Sequence, residues 1–244
     1  MIKCPTTTLL ATFAVLIAFA NTSSAATLDV INHSFETSTF TAWVKGGGLT
    51  SSGSFDPTTS DGFYTGTPTG MDGTRLAYQL RGSLVPAGYF EQTLAGADGI
   101  VSNGDDPTLA ANTEYTITVG IGYRNGTRAD SDGPEDFAGF VIELFADTTV
   151  VGSSTRLASA GPLGNSGEIT DHSFSFTTSA SPTGLGDALK IRIGRETGGD
   201  PLYLDFDNVR ISAANAVPEP SSLLIASVLG LGMLLLGRRR RKNV

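Results

Sequence analysis

The stretch "EYTITVGIGY" (114–123) decides the fold. Tyr115, Ile117, Val119, Ile121 and Tyr123 alternate with polar or small residues. A period of two marks a strand with one apolar face turned to a core. The same period recurs in "HSFSFTT" (172–178), with Phe174 and Phe176, and in "LKIRIG" (189–194), where Leu189, Ile191 and Ile193 oppose Lys190 and Arg192. Further strands are expected at 27–31, 87–94, 138–146 and 202–212, separated by Gly, Pro, Asn and Asp. No amphipathic helix is visible outside the termini. Many strands with turn-rich connections give an all-β fold class, an antiparallel β-sandwich of jelly-roll type. A body of 190 residues (27–216) is large enough to bury a core without cross-links. Three connections read as long: 46–75, 125–136 and 158–170, the second holding the acidic run "ADSDGPED".

The chain carries 16 basic and 24 acidic residues, a net charge of −8. Six of the basic residues lie near the ends, so 27–216 holds ten basic and 23 acidic residues, net −13. That sign excludes nucleic acid as a partner and suits cation binding. The one cysteine, Cys4, lies within the first 26 residues. Disulfides, thiolate metal sites and cysteine nucleophiles are therefore excluded from the body.

Both ends read as targeting. Lys3, an apolar run over 9–20 and small residues at Ser24 and Ala26 have the order of a secretory signal peptide, 1–26. At the other end, 221–237 is free of charge. As a helix it spans roughly 25 Å, the short end of a membrane crossing. Arg238, Arg239, Arg240, Arg241 and Lys242 follow, and such a cluster stays on the cytoplasmic side. Val217, Pro218, Glu219 and Pro220 precede it, and the two prolines hold the chain extended.

This order of motif, apolar segment and basic end, over 217–244, resembles the PEP-CTERM sorting signal. The resemblance implies an exosortase-like membrane transpeptidase as partner. The expected route is export across the inner membrane as a precursor anchored by its C-terminal helix, then delivery to the cell envelope or extracellular matrix. A second resemblance lies at the edges of the body. "VINHSFETSTFTAW" (30–43) and "LYLDFDNVRIS" (202–212) are similar to the first and last strands of galactose-binding-like jelly rolls, a fold common among carbohydrate-binding modules. Asn32, Phe35, Glu36 and Trp43 match the entry pattern, and Asp205, Asp207 and Asn208 the exit pattern. The resemblance implies a structural calcium on Glu36 with Asp205 or Asp207, hard oxygen donors from distant positions. The same acids also suit capping and turn chemistry.

Catalytic patterns are scarce. His33 and His172 have no metal-ligand partner at a recognisable spacing and read as surface residues at strand ends. No G-x-S-x-G or phosphate-binding loop is found, and nothing singles out a carboxylate pair among 23 acids. The expectation is a non-catalytic exported protein, not an enzyme. The alternative is an extracellular polysaccharide-binding module using Phe63, Tyr64 and Tyr89, rings that would otherwise plug the core. Trp43 reads as core.

Overall fold

In the computed structural model the stretch 114–123 lies within an eleven-residue strand, with Tyr115, Ile117, Val119 and Ile121 buried. The structure describes residues 24–37, 39–58, 63–81, 88–96, 98–124, 139–196 and 203–216. Over Ser24–Ala216 they belong to one compact unit. Among the described residues there are eleven strands: β1 (Ala26–Leu28), β2 (Val44–Gly46), β3 (Leu49–Phe55), β4 (Leu76–Arg81), β5 (Tyr89–Thr93), β6 (Thr113–Tyr123), β7 (Phe140–Ala146), β8 (Thr149–Arg156), β9 (Glu168–Thr177), β10 (Leu189–Arg195) and β11 (Tyr203–Asn215).

They form two antiparallel sheets. One has the order β3-β4-β11-β6-β9, with β1 also on β11; the other runs β2-β5-β10-β7-β8. The expected all-β sandwich is present. Ile117, Val119, Leu204 and Phe206 from the first sheet meet Phe90, Ile142, Leu144, Ile191 and Ile193 from the second in one core. Each such side chain contributes roughly 1.5–3 kcal/mol by leaving water.

The ladder between β11 and β6 is irregular at one point. The two strands pair in register from Asp205 to Asp207, then slip before Arg210. Asn208 absorbs the extra residue with φ at 47°, a conformation that asparagine tolerates better than most residues. Phe206 before the slip and Val209 and Ile211 after it are all buried. Without the bulge, one half of the strand would turn its apolar face to solvent.

The seven strands expected from alternation are all present. Four others fall where the sequence shows none: β2, β3, β4 and β8. β3 (LTSSGSF) and β8 (TVVGSSTR) close the edges of their sheets. Edge strands need less apolar surface, so Ser, Thr and Gly replace the alternation. The expected long loop 46–75 therefore holds the last residue of β2, the whole of β3 and a shorter connection. His172 does not sit at a strand end. It lies inside β9, its ring edge-on to Phe140 at 4.9 Å, bonded to Ser154 at 2.8 Å. Trp43 is buried against Phe35, as expected.

Among the described residues no helix is long and apolar enough to cross a membrane. Residues 1–23 of the expected signal segment 1–26, the acidic loop at 125–136 and the whole of 217–244, with Val217, Pro218, Glu219, Pro220, Arg238, Arg239, Arg240, Arg241 and Lys242, lie outside the described residues.

Candidate functional site

The outer face of the six-stranded sheet carries the chemistry. Asp205 and Asp207, two apart on β11, point to that face opposite Gly122 and Gly120 of β6. Two glycines on one face of a strand leave a side-chain-free floor, the usual sign of a close approach. Residues 63–75 cover it. Tyr64, Leu76 and Ile169 form a second buried cluster there, with Phe55, Phe63 and Met71 packed against it. A Cβ on Gly122 would lie 2.5 Å from the Tyr64 hydroxyl and 2.8 Å from the Asp205 Cβ.

Beneath these rings sits a buried ion pair. Arg124, the residue after β6, donates from Nε to Asp205 Oδ2 and from Nη2 to Oδ1, both at 2.6 Å. Asp205 is 1% exposed and Arg124 7%. The two-pronged contact fixes the carboxylate plane and matches its ionised form. Tyr64 donates its hydroxyl to Asp205 Oδ2 at 3.0 Å. Burial, reinforced by the Asp205 charge, holds the Tyr64 phenol well above its ordinary range, so it stays a proton-bearing donor. The Arg124 guanidinium also faces rings, 4.0 Å from the centroids of Phe63 and of Tyr203 and 5.7 Å from that of Phe55. Phe55, Phe63, Tyr78 and Tyr203 are half-buried and touch one another in tilted or edge-on pairs. They form an aromatic shelf over a carboxylate that a guanidinium and a phenol hold in place.

Asp207 has different company. Its Oδ2 accepts from the Asp72 N–H at 2.7 Å and its Oδ1 from the Asn208 N–H at 2.7 Å. Glu36 accepts from the Thr74 N–H, the Thr74 hydroxyl and the Arg75 N–H, at 2.8, 2.9 and 2.9 Å. Its carboxylate lies so close to Gly73 (φ 83°) that a Cβ there would collide with it. Asp207 is fully buried, and burial pushes its carboxyl from 3.8 to about 7. The two backbone donors pull it down, and the charges of Asp72 and Glu36 push it up again. The donor set of Glu36 and Asp207, with Asp72 beside them, suits a hard divalent cation. Among the described residues, no three histidine, cysteine or acidic side chains converge as a ready-made metal cluster.

Of the residues singled out in the sequence, Phe63 and Tyr64 come together with Asp205. Tyr89 does not: it lies on β5 of the other sheet, under the Arg192 guanidinium at 4.1 Å. Glu36 lies near Asp207, whereas Asp205 belongs to Arg124 and Tyr64. Arg124, Phe55, Tyr78 and Tyr203 carry no sequence signal of their own. The glycines at 120 and 122 were the available sign of the site.

A family match settles the class of the body. Residues 24–212 match the HpiC1-like family, described as HpiC1 cyclase. The chain belongs to the HpiC1-like family. Solved structures agree in fold. A cyclase from Fischerella sp. TAU is 24% identical, with a TM-score of 0.60 over 80% of this chain and 100% of that one. The apo form of a cyclase from Fischerella sp. is 25% identical, with a TM-score of 0.61 over 80% and 99%. A Fischerella sp. TAU cyclase in complex with 4-(1H-indol-3-yl)butan-2-one is 24% identical, with a TM-score of 0.61 over 79% and 100%. No curated protein matches.

These findings correct the expectations on function. Cyclases are enzymes that act on small molecules, so a non-catalytic envelope protein and a polysaccharide-binding module are both withdrawn. Neither the family match nor the neighbours support a PEP-CTERM identity, an exosortase partner or a membrane helix. The last 28 residues carry a legible motif, whereas the charged and aromatic groups gathered on the outer face of the sheet follow no short pattern, and the expectation leaned on the former.

Proposed function

We propose that this protein is a cyclase acting on an indole-bearing small molecule at the aromatic shelf above Asp205. The observation that carries the reading is the family match over 24–212, taken with the buried Arg124–Asp205–Tyr64 set beneath four rings. Ring closure needs a flexible substrate folded so that its reacting carbons meet, which a shaped and largely dry surface supplies. Phe55, Phe63, Tyr78 and Tyr203 offer faces to stack an indole and to stabilise positive charge spreading over it. A proton taken up from solvent by the substrate's alkene creates that charge; the Asp205 carboxylate, oriented by Arg124 and Tyr64, stabilises it and accepts the proton released when the ring regains aromaticity, returning it to solvent so that no proton is gained overall. The indole ligand in one Fischerella neighbour supports this substrate class.

Calcium on Glu36 and Asp207 belongs to the same proposal. The cation would offset the mutual repulsion of these carboxylates and tie the turn at 72–75 to β11. We also read the sandwich as a jelly roll and residues 1–26 as an export signal. The test is product analysis: an unsaturated indole substrate incubated with the protein should yield an isomer of unchanged mass with fewer alkenes. Asp205→Asn should abolish it while the far-ultraviolet spectrum is retained. Wild-type activity in that variant would remove Asp205 from the reaction.

A further inference from the structure

Asp205 and Arg124 are both buried beneath the rings, so the charge of each is answered inside the protein. Phe63 and Tyr203 lie 5.5 Å apart, tilted by 50°, and each is 4.0 Å from the guanidinium carbon. They therefore meet Arg124 as adjoining walls of a corner, with the Asp205 carboxylate at its edge. A carboxylate plus aromatic faces around a flat cation is the chemistry by which proteins recognise organic cations. In this chain the place of that cation is taken by the protein's own side chain.

We propose that Arg124 is a specificity-determining residue that makes the shelf take a neutral aromatic ligand and refuse a cationic one. The inference rests on the cyclase reading for the ligand class. With Arg124 in place the Asp205 charge is answered, and a second cation would meet a fixed like charge in a low-dielectric setting. A neutral indole carries no charge for Arg124 to repel at these rings. With Arg124 removed, Asp205 keeps its position and its Tyr64 bond, and the corner becomes a receptor for organic cations.

The experiment uses the full chain and two probes of similar shape. These are 4-(1H-indol-3-yl)butan-2-one, which is neutral, and tryptamine, which is an ammonium ion at pH 7. Wild type should prefer the ketone by roughly ten-fold or more, as expected for one like-charge contact. Arg124→Met should reverse the order, and millimolar methylguanidinium should raise its melting temperature but not that of wild type. Arg124→Lys, which keeps the charge, and the neutral pair Arg124→Met with Asp205→Asn should both still disfavour tryptamine. These two decide the matter if Arg124→Met alone fails to fold. An unchanged preference in Arg124→Met, or tryptamine binding gained by Arg124→Lys or by the double variant, overturns the proposal. If wild type binds neither indole, the cyclase reading fails. The methylguanidinium comparison then still decides the role of Arg124: an equal response in wild type and Arg124→Met refutes it.

Discussion

Gly122→Ala puts one methyl group into the floor of the site. Its Cβ would stand 2.5 Å from the Tyr64 hydroxyl, 2.8 Å from the Asp205 Cβ and 3.0 Å from the Ile169 Cδ1. Asp205 cannot retreat, because its Cβ is fixed to β11 between two paired strands. Tyr64 must move and lose its bond to Asp205. Overpacking costs about 1–3 kcal/mol, and a hydrogen bond to a charged group about 1.5–3 kcal/mol. Part of the second is recovered by water, so a net loss of about 2–4 kcal/mol is expected. Urea denaturation of both proteins measures it. Gly104→Ala is the control, since nothing lies within 4 Å of a Cβ there, and it should change stability by less than about 0.5 kcal/mol. Tyr64→Phe removes the crowded oxygen, so Gly122→Ala should cost less in that background. If Gly122→Ala matched the control, or if its cost were the same with Phe at 64, the packing of Tyr64 over this floor would be refuted.

Three further outcomes concern the charged groups. Saturating calcium should raise the melting temperature over EGTA, by about 2.7 kcal/mol of stability at a hundred-fold excess over Kd, and Asp207→Asn should abolish the response; identical wild-type melts would remove the cation. In EGTA, the Asp207 carboxyl titrates near 7 when folded against 3.8 ordinarily. Stability from this group is complete below about pH 4 and is lost as pH rises through about 7, by no more than about 4 kcal/mol; chemical denaturation across pH 4–8 reads the slope, and Asp207→Asn should flatten it. His172 has the opposite sign. Burial, then the Arg156 charge, holds its pKa below 6.5, so its contribution is present above pH 6.5 and is lost on acidification through the lower folded value. His172→Gln should remove that loss, and an unchanged acid limb would contradict it.

Much of the fold was legible because burial forces alternation. Tyr115 to Ile121, Leu189 to Ile193 and Phe174 with Phe176 each announce a strand. β3 and β8 do not, because edge strands built from Ser, Thr and Gly resemble loops. The acids of β11 were legible as a pair, but not their separate roles. Asp205 and Asp207 face the same way, and only the register decides that one meets Gly122 and Tyr64 and the other Gly120 and Asp72. Arg124 could not be read at all. A lone arginine after a strand looks like solvent-facing charge until the fold brings Asp205, 81 residues later, beneath the same rings.

The most direct measurement is a nuclear magnetic resonance titration of 4-(1H-indol-3-yl)butan-2-one into protein with labelled Phe and Tyr rings. The account predicts saturable shifts at Phe55, Phe63, Tyr78 and Tyr203. Shifts confined to Tyr89 and to Phe145 of β7, the two rings facing Arg192 on the opposite sheet, or none at any ring, would contradict it.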